Sequence, residues 1–188
     1  MDNLIHDSIS DEIIAVTERI AMEDGTKDIN VRRIIKELGV TNRVFYNRFH
    51  NIDEVLEAVY NRAAQGMHES FSTDKDINAD FFGYVTDVCV NVLINTYDIK
   101  NRFSQYMFEF DSYSASNYTW WKGKIEQLIT FGKETGKLKN VDSEMLSYSL
   151  WCFLRGFNAD AVNRGLSKDD AIAKLTFGLN CLFEGIKN

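Results

Sequence analysis

The sequence predicts an all-α protein of about nine helices, and three observations lead to that prediction. The 188 residues include no proline, which helix interiors exclude and which loop-rich chains use in their turns. Apolar residues recur at intervals of three and four, the period of one face of a helix. No segment alternates apolar and polar residues as a half-buried strand does. With 45% apolar residues, the chain can bury a sizeable core between such helices.

Two helices are predicted before Gly39. The first begins at Ser8 or Ser10, both of which are good capping residues, and ends at Asp24-Gly25. Its apolar face consists of Ile9, Ile13, Val16 and Ile20. The second is capped by Asn30 and ends at Gly39, which takes a tight turn at no steric cost. Its inner face is Val31, Ile34, Ile35 and Leu38, and its outer face is Arg32, Arg33 and Lys36.

A third, short helix is predicted after this turn, with Thr41 as its cap. Its buried side consists of Val40, Val44, Phe45 and Phe49, and its outer side of Asn42, Arg43, Asn47 and Arg48. Asn51 and Glu54 have the spacing of a capping box and open a long helix from about Ile52 to Phe71. Two short helices joined by a glycine turn, with a polar outer face on the second, form the pattern of a helix-turn-helix. An ordinary helical hairpin has the same periodicity.

The helical period continues to the end of the chain. We predict helices near Asn78–Tyr97, Lys100–Asp111, Asn117–Thr135, Ser143–Asn163 and Lys168–Ile186. No segment with linker composition interrupts the chain, so the long fourth helix is itself the connection between its parts. We therefore expect a three-helix N-terminal domain at 1–51 and a larger helical domain at 52–188.

The charge distribution is uneven. The net charge of −7 argues by itself against a nucleic-acid partner. Between Lys27 and His50, however, six basic side chains stand against two acidic ones, a local charge of +4, and the rest of the chain carries −11. One basic island on an acidic body is typical of DNA binding through a single element.

The segment GVTNRVFYNRFHN at 39–51 resembles the signature of the tetracycline-repressor (TetR) family. That signature is Gly-Val-Ser/Thr, three variable residues, an apolar residue, Tyr, any residue, His or similar, Phe and a polar cap. The resemblance extends upstream through Val31–Leu38 to the Gly25 turn and covers about the first third of the chain. It implies a one-component transcriptional repressor, with a DNA-binding domain at 1–51 and a ligand-binding and dimerisation domain at 52–188. The partners it implies are double-stranded, pseudo-palindromic operator DNA, a small-molecule effector and a second copy of the chain.

Candidate DNA contacts follow from this resemblance and from the chemistry of base reading. Asn42 and Arg43 open the recognition helix, where arginine can grip guanine and asparagine can pair with adenine, and Asn47 shares their face. Tyr46 occupies the family's near-constant tyrosine, which implies a phosphate contact, and Arg48 is also expected to reach phosphate. The complete set is Arg32, Thr41, Asn42, Arg43, Tyr46, Asn47 and Arg48.

Three positions depart from the family's pattern, and each removes a group aimed at phosphate. Val44 replaces a common threonine, Ile52 a common lysine, and Asp11-Glu12 a basic start of the first helix. We therefore expect weaker non-specific DNA affinity. These departures also leave open an alternative, a family-like helical protein that has lost operator binding and acts through protein partners.

The C-terminal part is rich in aromatic residues, most of which we assign to the core. Around a loop between two predicted helices, five of them are candidates for the wall of an effector pocket: Tyr106, Phe110, Tyr113, Trp120 and Trp121. Few charged residues lie between Phe103 and Trp121, so we expect a largely apolar or flat aromatic effector. Glu109 or Asp111 is placed to accept a single cation.

The predicted helix at Ser143–Asn163 is apolar on two faces, which indicates burial on two sides, and the last helix carries one apolar stripe. The stripes are Met145, Ser149, Cys152, Gly156 and Ala159; Leu146, Leu150, Phe153 and Phe157; and Ile172, Leu175, Leu179, Leu182 and Ile186. The resemblance implies a four-helix dimer interface, for which we select Ser149, Cys152, Gly156, Leu175, Leu179 and Leu182. The alternative is that these stripes serve the core of one chain.

Nothing in the sequence indicates an enzyme, a metal site or a cofactor. The three histidines do not cluster with a nucleophile or a carboxylate pair, and no phosphate loop or dinucleotide motif occurs. Cys89, Cys152 and Cys181 stand far apart among apolar neighbours, and we interpret them as buried thiols of a reducing cytoplasm. Without a signal peptide or an apolar run of about 18 residues, the chain is expected to be cytoplasmic and to have no membrane partner.

Overall fold

The computed structural model describes residues 4–98 and 115–188, which are helical apart from their connections and one isolated bridge, Leu138 to Lys187. The described part has eight α-helices: α1 Ser8–Asp24, α2 Val31–Leu38, α3 Asn42–Tyr46, α4 Ile52–Glu69, α5 Phe81–Asp98, α6 Ala115–Glu134, α7 Ser143–Asn163 and α8 Lys168–Ile186. A 3₁₀-helix, Thr26–Asp28, joins α1 to α2. The predicted all-α fold is confirmed, and the helix predicted at Lys100–Asp111 lies outside the described residues.

The described residues form two compact units, one of residues 4–66 and one of 67–98 with 115–188. The boundary between them falls inside α4, between Gly66 and Met67. The sequence-based division at 51/52 assigns the whole of this helix to the second domain and stays a prediction.

The N-terminal unit packs α1, α2, α3 and α4 around one apolar core. Its fully buried side chains include Ile13, Ile20, Ile34, Phe45, Val55, Val59 and Tyr60. Ile13 and Ile20 lie on the apolar face predicted for α1, while Thr17 joins them there because its hydroxyl donates to the Ile13 carbonyl at 2.7 Å. Its polar group is thus satisfied inside its own helix.

The start of α1 differs from the sequence prediction, because Asp7 caps it instead of Ser8 or Ser10. The Asp7 carboxylate accepts hydrogen bonds from the backbone N–H groups of Ile9 and Ser10, each at 3.1 Å. Ser10 completes a capping box, since its hydroxyl accepts from the Asp7 N–H at 3.3 Å. A carboxylate in this position also stabilises the positive end of the helix dipole.

The same carboxylate holds a buried arginine from the other end of the helix-turn-helix. Arg48, which is 6% exposed, donates from Nε to Asp7 Oδ1 at 2.8 Å and from Nη2 to Oδ2 at 2.5 Å. Its third nitrogen, Nη1, donates to the Val44 carbonyl at 2.8 Å. The hydrogen bonds that Asp7 accepts from Arg48 hold its pKa far below the ordinary value of 3.8. The pair therefore joins the first turn of α1 to the end of α3.

The second unit has two neighbouring apolar clusters. In the larger one, α8 residues Ala171, Leu175, Leu179 and Phe183 pack with Cys89 and Leu93 of α5 and Ala161 of α7. The smaller one consists of Phe81, Ile125, Ile129 and Leu138, with Leu146 and Leu150 packed against it. The side of α8 that carries Leu175 and Leu179 thus faces the core of its own chain.

We expect Asp7→Asn to lower the Tm of the protein by several degrees near neutral pH and to change its response to acid. The amide keeps an acceptor for the cap but loses the charge that pairs with Arg48. Since the folded-state pKa of Asp7 is depressed, its stabilisation is present above about pH 4 and is lost as the pH falls through the folded-state pKa. The difference in Tm between wild type and variant should therefore shrink as the pH is lowered from about 7 to about 3.

Thermal unfolding followed by circular dichroism tests this expectation. Asp11→Asn is the matched control, because Asp11 lies in the first turn of the same helix, is 76% exposed and pairs with Arg62 only at 3.8 Å. Equal effects of the two substitutions at every pH would contradict a special role for the Asp7–Arg48 pair.

Candidate nucleic-acid interface

The helix-turn-helix is formed by local backbone chemistry at its two joints. Asn30 caps α2, with its side chain accepting from the Arg33 N–H at 3.0 Å. At the other end Gly39 takes the left-handed conformation, with φ at 68°, and donates its N–H to the Ile35 carbonyl. Most other residues are strained at such a φ, so the glycine fixes the angle at which α3 leaves α2.

The short helix α3 is anchored by one aromatic residue. Phe45 is completely buried, and its ring contacts those of Tyr46 and Phe49 at centroid distances of 5.3 and 6.0 Å. Thr41 occupies the cap position as predicted, although its side chain makes no capping hydrogen bond. With five helical residues and one buried anchor, α3 depends on its packing for stability, because helices this short are unstable alone.

Six of the seven predicted DNA contacts lie on the surface of the N-terminal unit. They are Arg32, Thr41, Asn42, Arg43, Tyr46 and Asn47. Tyr46 is 52% exposed although it is aromatic. Arg43 and Asn47 are four residues apart, the spacing of neighbours on one side of a helix. The side of α3 opposite Phe45 is therefore polar.

Arg48, the seventh predicted contact, is buried. The sequence interpretation as an exposed phosphate contact differs from the structure, in which Asp7 and the Val44 carbonyl occupy all three of its nitrogens. Its neighbourhood is fixed by a carboxylate 41 residues earlier in the chain, which periodicity cannot locate. We therefore treat Arg48 as a residue that positions α3.

Internal pairing also reduces the charge that the basic island presents. Arg33 pairs with Asp24 and with Glu37, the latter at 3.3 Å, and Glu37 in turn pairs with Arg19. The hydrogen bonds from Arg19, with those from Arg33, hold the pKa of Glu37 below its usual value. Of the six basic residues between 27 and 50, the exposed ones are Lys27, Arg32, Lys36 and Arg43.

The start of α4 carries half of the predicted capping box. Asn51 accepts from the Glu54 N–H at 3.0 Å, as a cap should. The Glu54 carboxylate, however, interacts with His50. It accepts a hydrogen bond from the backbone N–H of His50 at 2.8 Å, and its other oxygen lies 2.7 Å from the ring Nδ1 of the same residue. These contacts hold the pKa of Glu54 below its usual value, and the hydrogen bond from the backbone N–H of His50 has the largest effect. A carboxylate thus stands in the first turn of α4, where it stabilises the positive end of the helix dipole.

Two residues of the predicted effector pocket lie in an aromatic cluster of the second unit. Trp120 is stacked on His68, with centroids 3.7 Å apart and planes 9° from parallel, and Trp121 is 8% exposed. Phe71 contacts both indoles edge-on, at 5.8 and 5.7 Å. The other predicted members, Tyr106, Phe110 and Tyr113, lie outside the described residues, as do Glu109 and Asp111.

The cluster extends to residues that the sequence did not select. Trp151 of α7 lies 6.3 Å from Trp121 and 5.8 Å from Tyr118. His68, in the last turn of α4, has its Nε2 2.8 Å from the side-chain oxygen of the buried Asn117. These residues come from three helices, so their proximity leaves no local pattern in the sequence. All three tryptophans of the chain belong to the cluster.

The predicted dimer residues divide into exposed and buried ones. Ser149, Cys152 and Gly156 of α7 are exposed, and Met145 and Tyr148 beside them are 70% and 57% exposed. On α8, two of the three predicted residues, Leu175 and Leu179, are 0% and 1% exposed in the core, while the third, Leu182, is 39% exposed. The outer face of α8 instead includes Phe177, which is 71% exposed.

One of the three cysteines is buried and the other two are exposed. Cys89 is buried, and burial raises its pKa to about 12, so its thiol stays protonated. Cys152 and Cys181 are exposed on the outer faces of α7 and α8, which corrects the interpretation of all three as buried. Over residues 4–98 and 115–188 we find no cluster of three potential metal ligands, and no helix there is long and apolar enough to span a membrane.

Comparison with known proteins identifies the N-terminal unit. Residues 13–59 match the model of a family described as bacterial regulatory proteins, tetR family. The match runs from the buried part of α1 to the first turns of α4 and includes both helices of the helix-turn-helix. Among curated proteins no significant match is found.

Solved structures extend the likeness to nearly the whole chain. SmeT, the repressor of the Stenotrophomonas maltophilia multidrug efflux pump SmeDEF, has a TM-score of 0.75 and 18% identity, over 95% of this chain and 90% of its own. A TetR-family transcriptional regulator from Pectobacterium atrosepticum has a TM-score of 0.70 and 16% identity, over 95% and 93%. BioQ from Mycobacterium smegmatis has a TM-score of 0.62 and 19% identity, over 96% of this chain and 97% of its own. At these identities the likeness shows a shared fold.

Proposed function

By its residues 13–59 the chain belongs to the tetR family of bacterial regulatory proteins, which are DNA-binding transcriptional regulators, and we propose that it acts as a repressor. In this proposal a small, largely apolar or aromatic molecule releases the protein from double-stranded operator DNA. Two copies of the chain bind the two halves of the operator, which is therefore pseudo-palindromic.

The polar surface of α3 is the observation that carries the proposal. The Gly39 turn and the Phe45 anchor hold Asn42 and Arg43 on the outer side of the first turn of this helix. Recognition helices present these positions to base edges in the major groove. We assign base reading to Asn42 and Arg43, through adenine and guanine, and a phosphate contact to Tyr46. Arg32, Thr41 and Asn47 complete the proposed interface.

Effector release requires that a ligand in the second unit change the first. α4 contributes Val55, Val59 and Tyr60 to the core of the first unit, and its last turn, with His68, belongs to the second. We propose that α4 transmits the change, because it runs through both. The change in operator affinity cannot exceed the difference in effector affinity between the two conformations of the protein.

The aromatic cluster supports the chemistry proposed for the effector. The cluster brings together rings from three helices and from the segment after α4: His68, Phe71, Trp120, Trp121 and Trp151. Flat apolar molecules stack on aromatic rings of this kind. The repressor activity of SmeT, which has the same fold, is consistent with a repressor here. Tyr106, Phe110 and Tyr113 remain proposed members of the pocket on the sequence alone.

The exposed apolar side chains of α7 and α8 support a dimer. Met145, Tyr148 and Phe177 are large apolar residues that are more than half exposed in the single chain. Large exposed apolar side chains on neighbouring helices are typical of association sites. We propose that the outer faces of α7 and α8 meet those of a second copy, with Ser149, Cys152 and Gly156 allowing close approach and Leu182 at the edge.

We expect Arg43→Ala to reduce operator affinity by about 1–3 kcal/mol and to relax the preference at one base pair. The arginine is exposed in the first turn of α3, where a bidentate contact to guanine gives that discrimination. Fluorescence anisotropy with DNA from the region upstream of the gene, and with single-base variants of it, measures both effects.

Arg164→Ala is the matched control, because it removes the same charge from an exposed arginine of the second unit that pairs with Asp160 on its own helix. A uniform loss of affinity across all sequences would make Arg43 a phosphate contact. Wild-type protein without any sequence preference would favour the alternative, action through protein partners.

We expect Phe177→Glu to yield folded monomers and Leu179→Glu to yield unfolded chain. The two residues are two positions apart on α8, but one is 71% exposed and the other 1% exposed. A carboxylate at 177 is solvated in the single chain and buried only in the dimer, whereas at 179 it is buried in either state. Light scattering and circular dichroism at micromolar concentration distinguish the outcomes, and a wild-type monomer would contradict the dimer.

We expect any compound that releases operator DNA to change the tryptophan emission and to bind Trp121→Phe more weakly than wild type. All three tryptophans lie in the one cluster, so their emission reports on the proposed pocket. Phe131→Leu, a loss of aromatic surface at a ring that packs on Phe81, is the control and should not affect binding. An effector that leaves both emission and affinity unchanged would place the pocket elsewhere.

A further inference from the structure

Asn158 lies on the buried face of α7 with its side-chain carbonyl oxygen unpaired. The residue is 7% exposed, and Oδ1 itself has no contact with solvent. Within residues 4–98 and 115–188, no group donates a hydrogen bond to this oxygen. An enclosed acceptor without a donor is unfavourable relative to the same oxygen in water, so such groups are rare in folded proteins.

The neighbours of Asn158 on the same face of α7 are apolar. One turn away on the same face of α7 stand Leu154, which packs against the larger core cluster, and Ala161 and Val162, which are each 1% exposed. Small-molecule sites usually combine apolar residues with a few polar groups, and the polar groups fix the orientation of the ligand.

A second buried oxygen on α7, the hydroxyl of Ser147, is also unpaired but has a simple remedy. Other hydroxyls in this protein donate to the carbonyl four residues earlier: Thr86 to Phe82, Thr96 to Val92 and Ser149 to Met145, at 2.8, 2.9 and 2.8 Å. Rotation about one bond lets Ser147 do the same. The Asn158 oxygen is an acceptor, and a backbone carbonyl cannot serve it. In this orientation of the amide, its partner must bring a donor.

The position of Asn158 relative to the aromatic cluster suggests what that partner is. Asn158 follows Trp151 by seven residues, two turns of helix, which places it on the same side of α7 about 10 Å further along the axis. Trp151 belongs to the cluster with Trp121 and Tyr118. A flat molecule stacked against this cluster is long enough to extend a polar group toward the amide.

We propose that Asn158 determines the specificity of the effector site, and that the effector carries an O–H or N–H group which donates to Asn158 Oδ1. The rest of the molecule is apolar or aromatic. This inference rests on the proposed function, since it assigns a hydrogen-bonding group to the effector proposed there. A neutral aromatic alcohol or amine fits the description, whereas a molecule that offers only acceptors does not.

Three two-ring probes test the proposal on the full-length protein: 2-naphthol, naphthalene and 2-methoxynaphthalene. The rings are the same, but only 2-naphthol can donate a hydrogen bond. Calorimetric titration should give a ratio of affinities, 2-naphthol over 2-methoxynaphthalene, that is about 10-fold higher in wild type than in Asn158→Leu. Leucine keeps the branched shape of asparagine and removes the acceptor.

Thermal unfolding without any probe separates this role from a structural one. Asn158→Leu should leave the Tm unchanged or raise it, because it removes an unpaired buried polar group. If the amide instead holds the fold together, the Tm falls and the proposal is overturned. Ser147→Ala, also on the buried side of α7, is the control and should keep the wild-type ratio of probe affinities.

The remaining outcomes are also decisive. An equal ratio in wild type and Asn158→Leu, or a wild-type protein that binds none of the three probes, would overturn the assignment. Operator binding by the wild type is measured separately and without probe. Failure there would refute the proposed repressor, whereas the probe ratios depend only on the site in the second unit, so the two failures are distinguishable.

Discussion

The geometry of the N-terminal unit depends on one ion pair, that between Asp7 and Arg48. The carboxylate caps α1 and at the same time accepts hydrogen bonds from two guanidinium nitrogens of Arg48, which follows α3. Since α3 has only five helical residues, it has little stability of its own and takes its position from two buried side chains, Phe45 within the helix and Arg48 just after it. The buried contacts of α3 therefore determine the positions of the side chains on its exposed surface.

In the second unit, the helix α7 contributes side chains to the surface, to the buried interior and to the aromatic cluster. The outer face of α7 exposes Met145 and Tyr148, its inner face encloses Asn158, and Trp151 joins the aromatic cluster. The proposed dimer contact and the proposed effector contact thus lie on different sides of the same rigid element. A ligand that shifts α7 relative to α6 changes the surface that meets the second copy, which gives the two proposals a common mechanical basis.

The sequence predicted what depends on local chemistry. Periodicity gave the helices, and Asn30, Gly39 and Thr41 gave the joints of the helix-turn-helix, because caps and turns are made within a few residues. Features made by distant partners were missed. Arg48 has the spacing of an exposed residue until Asp7 is known to lie beside it, and the stripe of Leu175 and Leu179 is as suitable for a core as for a dimer. A hydrophobic pattern identifies a buried face but does not say what buries it.

The internal pairing of arginines has a consequence for how such a protein finds its site in a cell. Attraction to DNA of any sequence grows with the number of cations offered to phosphate, and Arg33 and Arg48 are engaged with carboxylates of their own domain. A regulator with few remaining cations spends less time on the millions of irrelevant positions in a chromosome. More of its molecules are then free at any moment, so a small number of copies per cell is enough to keep one operator occupied.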